Sequence, residues 1–154
     1  MKKLSLIILL MILGLQAGAQ EYTNGIGFRG GLFNGITFKH FTNKNVALEG
    51  ILSSRWRGFQ LTGLVEHHND INDVNNLRWF YGYGAHAGFY DGKNTPWGED
   101  TSYTNIGVDG IIGLEYVIPN APISLGIDWK PYFNLVGYTG FVGDAGALSI
   151  RFLF

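Results

Sequence analysis

From Thr104 to Ile118 and from Ile123 to Leu135 the chain alternates between two kinds of residue. Ile106, Val108, Ile112, Leu114 and Tyr116, then Ile123, Leu125, Ile127, Trp129 and Phe133, make an apolar, aromatic-rich set. The interleaved residues are polar, charged or small: Asn105, Gly107, Asp109, Gly113 and Glu115, then Ser124, Gly126, Asp128, Lys130 and Asn134. Successive side chains of a strand point to opposite faces, so a period of two marks a strand bordered by two different environments. One environment here is oily and the other accommodates full charges. That is the pattern of a transmembrane β-barrel, with lipid outside and a polar interior.

Carried along the chain, the pattern predicts an all-β fold: an eight-stranded antiparallel up-and-down transmembrane β-barrel. The expected strands are Gly25–Leu32, Ile36–Phe41, Val46–Ser53, Gly58–His67, Arg78–Tyr90, Thr104–Ile118, Ile123–Leu135 and Ala145–Phe154. Phe33-Asn34-Gly35 suits a three-residue hairpin loop with glycine in the left-handed position, which pairs Leu32 with Ile36. Pro119-Asn120-Ala121-Pro122 makes a four-residue turn that pairs Ile118 with Ile123. Ser54–Arg57 is a short connection, His68–Leu77 a polar turn, and Asp91–Tyr103 and Gly137–Asp144 are long loops. With the N-terminus periplasmic, those long loops face outward from the cell and the tight proline turn faces inward, the asymmetry expected of such barrels.

The first residues predict a targeting segment. Lys2 and Lys3 precede an apolar run from Leu4 to Leu15, and Ala17-Gly18-Ala19 fits small-residue cleavage, giving a signal peptide over 1–19 and a barrel domain over 20–154. The run falls short of the ~20 residues of a membrane-spanning helix. Cysteine is absent, which removes disulfides, thiol chemistry and a lipoprotein anchor from consideration. A formal net charge of −1 argues against a nucleic-acid partner. The 23 glycines and 15% aromatic content suit a small barrel, with glycine where the interior is crowded and aromatics at the lipid interface.

The charges give the sharpest test. By parity Arg29, Lys39, Glu49, Glu66, Arg78, Asp109, Glu115, Asp128, Lys130 and Arg151 point inward, evenly divided in sign. The others fall in loops or at a terminus, and none faces lipid, where Arg or Lys at the midplane costs ~2–4 kcal/mol. Ile51, Leu64, Ile111, Val117 and Leu153 also land inward, against the pattern. Eight strands leave an interior just wide enough for side chains to fill. The balanced charges should therefore pair in a plugged interior without a wide pore. Glu115 and Arg151 lie at similar depth from their strand ends and are expected to pair across the lumen.

The chain ends Leu148-Ser149-Ile150-Arg151-Phe152-Leu153-Phe154. Outward residues finishing in Phe152 and Phe154 look like the C-terminal signal read by outer-membrane assembly machinery. With the strand count, the mature chain resembles small outer-membrane barrel proteins of the OmpA/OmpX/opacity-like class. More narrowly, Leu48–Gly63, Gly107–Tyr116 and Asp128–Phe141 resemble an uncharacterised family of small gram-negative barrels. The resemblance implies a bacterial outer-membrane location, contact with membrane lipid and lipopolysaccharide, and a monomer. It brings no established activity and no cofactor.

Candidate chemistry is sparse. Gly25, Gly27 and Gly30 match the spacing of a dinucleotide-binding turn, but that motif needs a strand before it and a helix after it, and here it lies within a strand. Asp70, Asn72 and Asp73 begin like a calcium loop, yet Val74 and Asn75 stand where an oxygen ligand and a glycine are needed. His67 and His68 are adjacent, so in a strand they face opposite ways and cannot easily share a metal. His86 points inward near Asp109, which fits an interior polar network better than catalysis. Outer-membrane lipid A deacylases of this size carry His-x-Ser, whereas Ala87 and Gly88 follow His86; the Asp-Ser pair of small-barrel acyltransferases is also missing. Arg55, Trp56, Arg57 and Trp97 lie in expected outer loops, where Arg meets phosphate and Trp seats at the membrane interface. The sequence thus favours a structural or surface-interacting protein that is not an enzyme and holds no metal. The alternatives are a lipid-modifying barrel centred on His86 and a soluble lipocalin-like binder, in which the apolar face would turn inward.

Overall fold

The computed structural model describes residues 22–55, 57–91, 102–137 and 139–154. The expected signal peptide, Trp56, Trp97 and most of the 91–103 loop lie outside these residues. Among the described residues ten strands follow one another: β1 (Asn24–Gly31), β2 (Asn34–Asn43), β3 (Val46–Arg55), β4 (Gly58–Asp70), β5 (Leu77–Tyr90), β6 (Tyr103–Val117), β7 (Ile123–Trp129), β8 (Tyr132–Val136), β9 (Gly140–Val142) and β10 (Gly146–Leu153). Each pairs antiparallel with its sequence neighbour up to β6, β7 and β8 both pair with β6, and β10 closes the ring against β1. Because β7 and β8 share one stave, and β9 and β10 another, the result is the expected closed eight-stranded up-and-down barrel. Followed from Arg151 through Gly27, Thr37, Ile51, Thr62, His86, Gly107 and Asn134, the partners return to the last stave at Gly140. That displacement means the strands tilt about the barrel axis, as closure requires.

The staves break where their sequence demands it. Pro131 lacks an N–H and separates β7 from β8, yet Ile112↔Trp129 and Asp109↔Tyr132 keep one register across it. The expected 137–144 loop instead contains β9, whose pairing with β8 is offset by one residue from that of β10 with β7. The first hairpin also departs from expectation. Phe28, not Leu32, pairs with Ile36, the chain turns at Leu32–Phe33, and Asn34 Oδ1 accepts the Gly31 N–H at 3.2 Å. Gly35 is an ordinary strand residue, and among the described residues Gly137 is the glycine with positive φ. The shift is even-numbered, so Ile36 still faces outward. At the second predicted hairpin Ile118 N–H does bond the Ile123 carbonyl, at 2.9 Å, with Asn120 left-handed in the turn.

β4 runs to Asp70, beyond the predicted end at His67, and pairs Asp70 with Arg78. The alternation continues there, but both faces are polar where the stave leaves the apolar band. The start of β1 and the C-terminus meet at one mouth, the termini mouth, where Asn24 and Phe154 exchange backbone hydrogen bonds of 2.9 Å. This termini mouth also carries the turns after β2, β4 and β6; the far mouth carries those after β1 and β8, the end of β3 and the facing ends of β5 and β6.

The outward set is apolar and exposed on every stave: Phe28, Phe38, Leu48, Leu61, Tyr83, Ile112, Ile127 and Ile150 among others. Outward polar residues, such as Asn34, Thr42 and Asn69, sit at strand ends. Inside, large residues face small ones across strands. His86 pairs with Gly107, and Phe80 with Gly113. A Cβ at Gly107 would lie 2.6 Å from His86 Cε1, and one at Gly113 2.7 Å from Phe80 Cζ. These glycines make room for the rings in a narrow lumen.

Candidate functional site

The interior is the candidate site, and its polar residues form two clusters. The one nearer the termini mouth joins Lys39 from β2, Glu49 from β3, Glu66 and His68 from β4, Glu115 from β6 and Arg151 from β10. Arg151 donates through Nη2 to Glu49 Oε1 at 2.6 Å and through Nη1 to Glu115 Oε1 at 3.2 Å and Ser149 Oγ at 2.9 Å. Lys39 Nζ lies 2.7 Å from Glu66 Oε2, and 4.0 and 3.9 Å from Glu49 and Glu115. Thr37 donates to Glu49, and Ser124 to Glu115 at 3.1 Å. His68 Nε2 sits 3.0 Å from Glu66 Oε2, with the ring packed between Phe41 and Phe80.

The second cluster lies toward the far mouth. Arg29 from β1 bridges to Asp128 from β7. Lys130 Nζ contacts Asp109 Oδ1 at 2.5 Å, and His86 Nδ1 contacts Asp109 Oδ2 at 2.7 Å. His86 Nε2 lies 2.8 Å from the Asn134 amide, and Asn105 donates to that amide at 3.3 Å. Above them Tyr132 meets the His86 ring edge-on and packs with Phe33 and Ala145, while Tyr90 donates to Gln60 at 3.0 Å.

Ile51, Leu64, Phe80 and Ile111 form an apolar layer between the two clusters. Ile51, Leu64 and Ile111 violate the sequence pattern because they face the lumen, and there they divide it. On β6 the layer is visible in one line: Asp109 above, Ile111 within, Glu115 below.

The structure therefore brings most of the predicted inward residues into contact, but in two groups. Arg78 differs: it stands at the termini mouth with its side chain 24% exposed, and its Nε donates to Asp70 Oδ1 at 2.6 Å. It belongs to the rim because the longer β4 carries Asp70 up to meet it. His68 was hidden within an expected turn, although its parity continues that of Glu66. Asn105, Ser124 and Asn134 belong to the polar set that parity turns inward, and Thr37 carries the same signal without a charge to draw notice. At the same rim Tyr22 packs edge-on to Phe41, and burial raises its phenol well above its ordinary pKa, so it stays neutral there.

Of the expected loop residues, Arg55 places its guanidinium 5.2 Å from the Phe33 ring, and Arg57 is exposed with positive φ. Phe152 and Phe154 stack outward with ring centroids 6.3 Å apart. Among the described residues no group of His, Cys, Asp and Glu is arranged to hold a metal ion.

The fold is similar to that of the crystal structure of the N-terminal β-barrel domain of Pseudomonas aeruginosa OprF, with a TM-score of 0.66 at 13% identity over 85% of this chain and 95% of that one. The likeness is one of fold alone. No protein-family model matches the sequence, and no curated protein does.

Proposed function

We propose that this chain is a small integral protein of the bacterial outer membrane, with a structural or surface-interacting role and no catalytic activity. The observation that carries this reading is the outer wall. Its apolar side chains encircle the barrel, and Phe28, Tyr83 and Leu148 each expose more than half of their surface. A water-soluble protein rarely exposes an apolar patch beyond a few hundred Å². Hydrocarbon around the wall and charge inside satisfy both sets at once. A soluble ligand-binding barrel needs the reverse arrangement, with charges on the wall that bears Ile112 and Ile127.

In this reading the termini mouth is periplasmic and the far mouth faces outward, where Arg55 and Arg57 meet lipopolysaccharide phosphates. Assembly machinery reads Phe152 and Phe154, and ring closure by β1 and β10 leaves the protein monomeric. The exported protein is expected to fractionate with outer membranes and to migrate differently in detergent gels before and after boiling. Solubility without detergent would overturn the proposal. The apolar layer and the paired charges block the lumen, so planar-bilayer recordings are expected to show no unitary steps.

The His86–Asp109 contact has the geometry of an oriented base, but His86 Nε2 meets an amide and Tyr132 covers the ring. Neither supplies the nucleophile that acyl transfer needs. His86→Ala is expected to leave lipid A acylation unchanged in cells that express the protein, as read by mass spectrometry. An acylation pattern that depends on His86 would restore the enzymatic reading.

A further inference from the structure

The two interior clusters differ in their charge balance. In the far cluster Arg29 opposes Asp128, Lys130 opposes Asp109, and His86 faces an uncharged amide on its second side. The four full charges there cancel in two pairs. In the termini cluster three carboxylates, Glu49, Glu66 and Glu115, share two permanent cations, Lys39 and Arg151. All five side chains are at most 1% exposed. Arg78 does not correct the deficit, since it is paired with Asp70 at the rim.

A buried uncompensated negative charge costs several kcal/mol, and a buried group takes up a proton sooner than stay charged alone. His68 is placed to receive one. Its Nε2 lies 3.0 Å from Glu66 Oε2, and its Nδ1 faces Glu115 Oε2 at 3.8 Å. Phe41 and Phe80 flank the ring, at 4.9 and 5.0 Å between centroids. Glu49 Oε2, Glu66 Oε1 and Glu115 Oε2 are buried without a hydrogen-bond donor, and Lys39 Nζ, His68 Nδ1 and Arg151 Nε without an acceptor in hydrogen-bond geometry, so the cluster leaves hydrogen bonds unmade on both sides and the charge count decides its balance.

We propose that the termini cluster is a proton-binding site, holding one proton shared between Glu66 and His68 when the barrel is folded at neutral pH. With the proton on the carboxyl or on the imidazole the cluster is electrically neutral, so the count does not depend on which of the two carries it. Among the described residues, the groups that face this pair are Lys39 from β2, Glu49 from β3, Asp70 at the end of β4, Arg78 from β5, Glu115 from β6, Arg151 from β10 and the neutral Tyr22 before β1. The inference rests on burial of the lumen and is independent of what surrounds the outer wall.

The consequence is a stability that declines as the solution becomes alkaline. An unfolded chain releases this proton above about pH 6.5, the ordinary range of histidine, with glutamate lower still. Above that pH the folded barrel holds one proton more than the unfolded chain, so its folding equilibrium constant falls by up to ~10-fold per pH unit. Glu66→Gln removes the surplus negative charge and leaves Glu49 and Glu115 balanced by Lys39 and Arg151.

The test measures urea unfolding of the wild-type protein and the Glu66→Gln variant in detergent micelles from pH 7 to 9. The wild type is expected to lose stability along that slope, and the variant to stay level. Equal slopes in the two proteins would overturn the proposal, as would a wild-type stability at pH 9 that follows sodium concentration instead of pH. A second measurement needs no variant. Unfolding the wild-type barrel in weakly buffered solution at pH 8 is expected to release about one proton per chain; no release, or uptake, refutes the site even if Glu66→Gln fails to fold.

Discussion

Replacing Arg151 with methionine is expected to destabilise the barrel by about 3–5 kcal/mol, the cost of leaving buried charge without its partner. Arg151 holds Glu49 at 2.6 Å and Glu115 at 3.2 Å from inside the lumen, and its own side chain is 1% exposed. Without it Lys39 is the one permanent cation left near those carboxylates, at 4.0 and 3.9 Å, while its close contact is with Glu66. Methionine fills most of the volume, so the loss is electrostatic more than steric. A double-mutant cycle with Glu115→Gln separates the pair from the rest. Residues within one ionic network couple by ~0.5–3 kcal/mol, and Glu115→Gln in the Arg151→Met background should recover part of the loss. Both are read from urea midpoints of the refolded protein. Additive effects of the two substitutions, or a single-variant loss under about 1 kcal/mol, would mean that the cluster relaxes around the missing guanidinium and does not hold the staves together.

That coupling joins residues far apart in sequence, and it shows which parts of the molecule the sequence makes legible. Glu115 and Arg151 share inward parity and a common depth, so their meeting follows from strand direction and barrel size alone. Depth is harder to read than parity. The first hairpin was expected four residues out of register, because Phe33-Asn34-Gly35 has the composition of a turn while the chain turns at Leu32–Phe33. An even slip leaves every side chain on its own face, which is why the assignment of faces survives it. Strand ends fail for a different reason. Alternation is visible only where oily and polar surroundings differ, and from His68 to Asp70 both faces are polar. His68 was lost to an expected turn, and Arg78 was placed one level too deep. The apolar layer was legible only as a set of exceptions: nothing in the positions of Ile51, Leu64 and Ile111 alone says that tilted staves bring them together with Phe80.

The two clusters and the layer between them also explain why a short chain without cysteine can close a barrel. Two of the buried arginines tie non-neighbouring staves together: Arg29 reaches from β1 to β7, and Arg151 from β10 to both β3 and β6. Such contacts fix which strands face one another across the lumen, a constraint that neighbour-to-neighbour hydrogen bonding does not provide. Their stabilising effect depends on exclusion of water, which Ile51, Leu64, Phe80 and Ile111 supply between the clusters and the Phe33–Tyr132 contact supplies at the far mouth.

Ile127→Lys tests the other face of the same wall. Ile127 is 55% exposed and lies between Leu114 on β6 and Leu148 on β10. If water covered the wall, a lysine there would change stability by no more than about 0.5 kcal/mol, as for most surface substitutions. In a bilayer the ammonium group must enter hydrocarbon or bend toward a distant headgroup, at a cost of about 2–4 kcal/mol near the midplane and about 0–1 kcal/mol near the interface. Thr42→Lys supplies the comparison, because Thr42 is exposed at the end of β2, beside the termini mouth. Unfolding in lipid vesicles is expected to show a large loss for Ile127→Lys and little for Thr42→Lys. The contrast between the two depths carries the argument, since general damage from a long charged side chain would be felt at both positions and lipid immersion at only one. Equal, small effects would place water against the wall and remove the reason for its oily circumference.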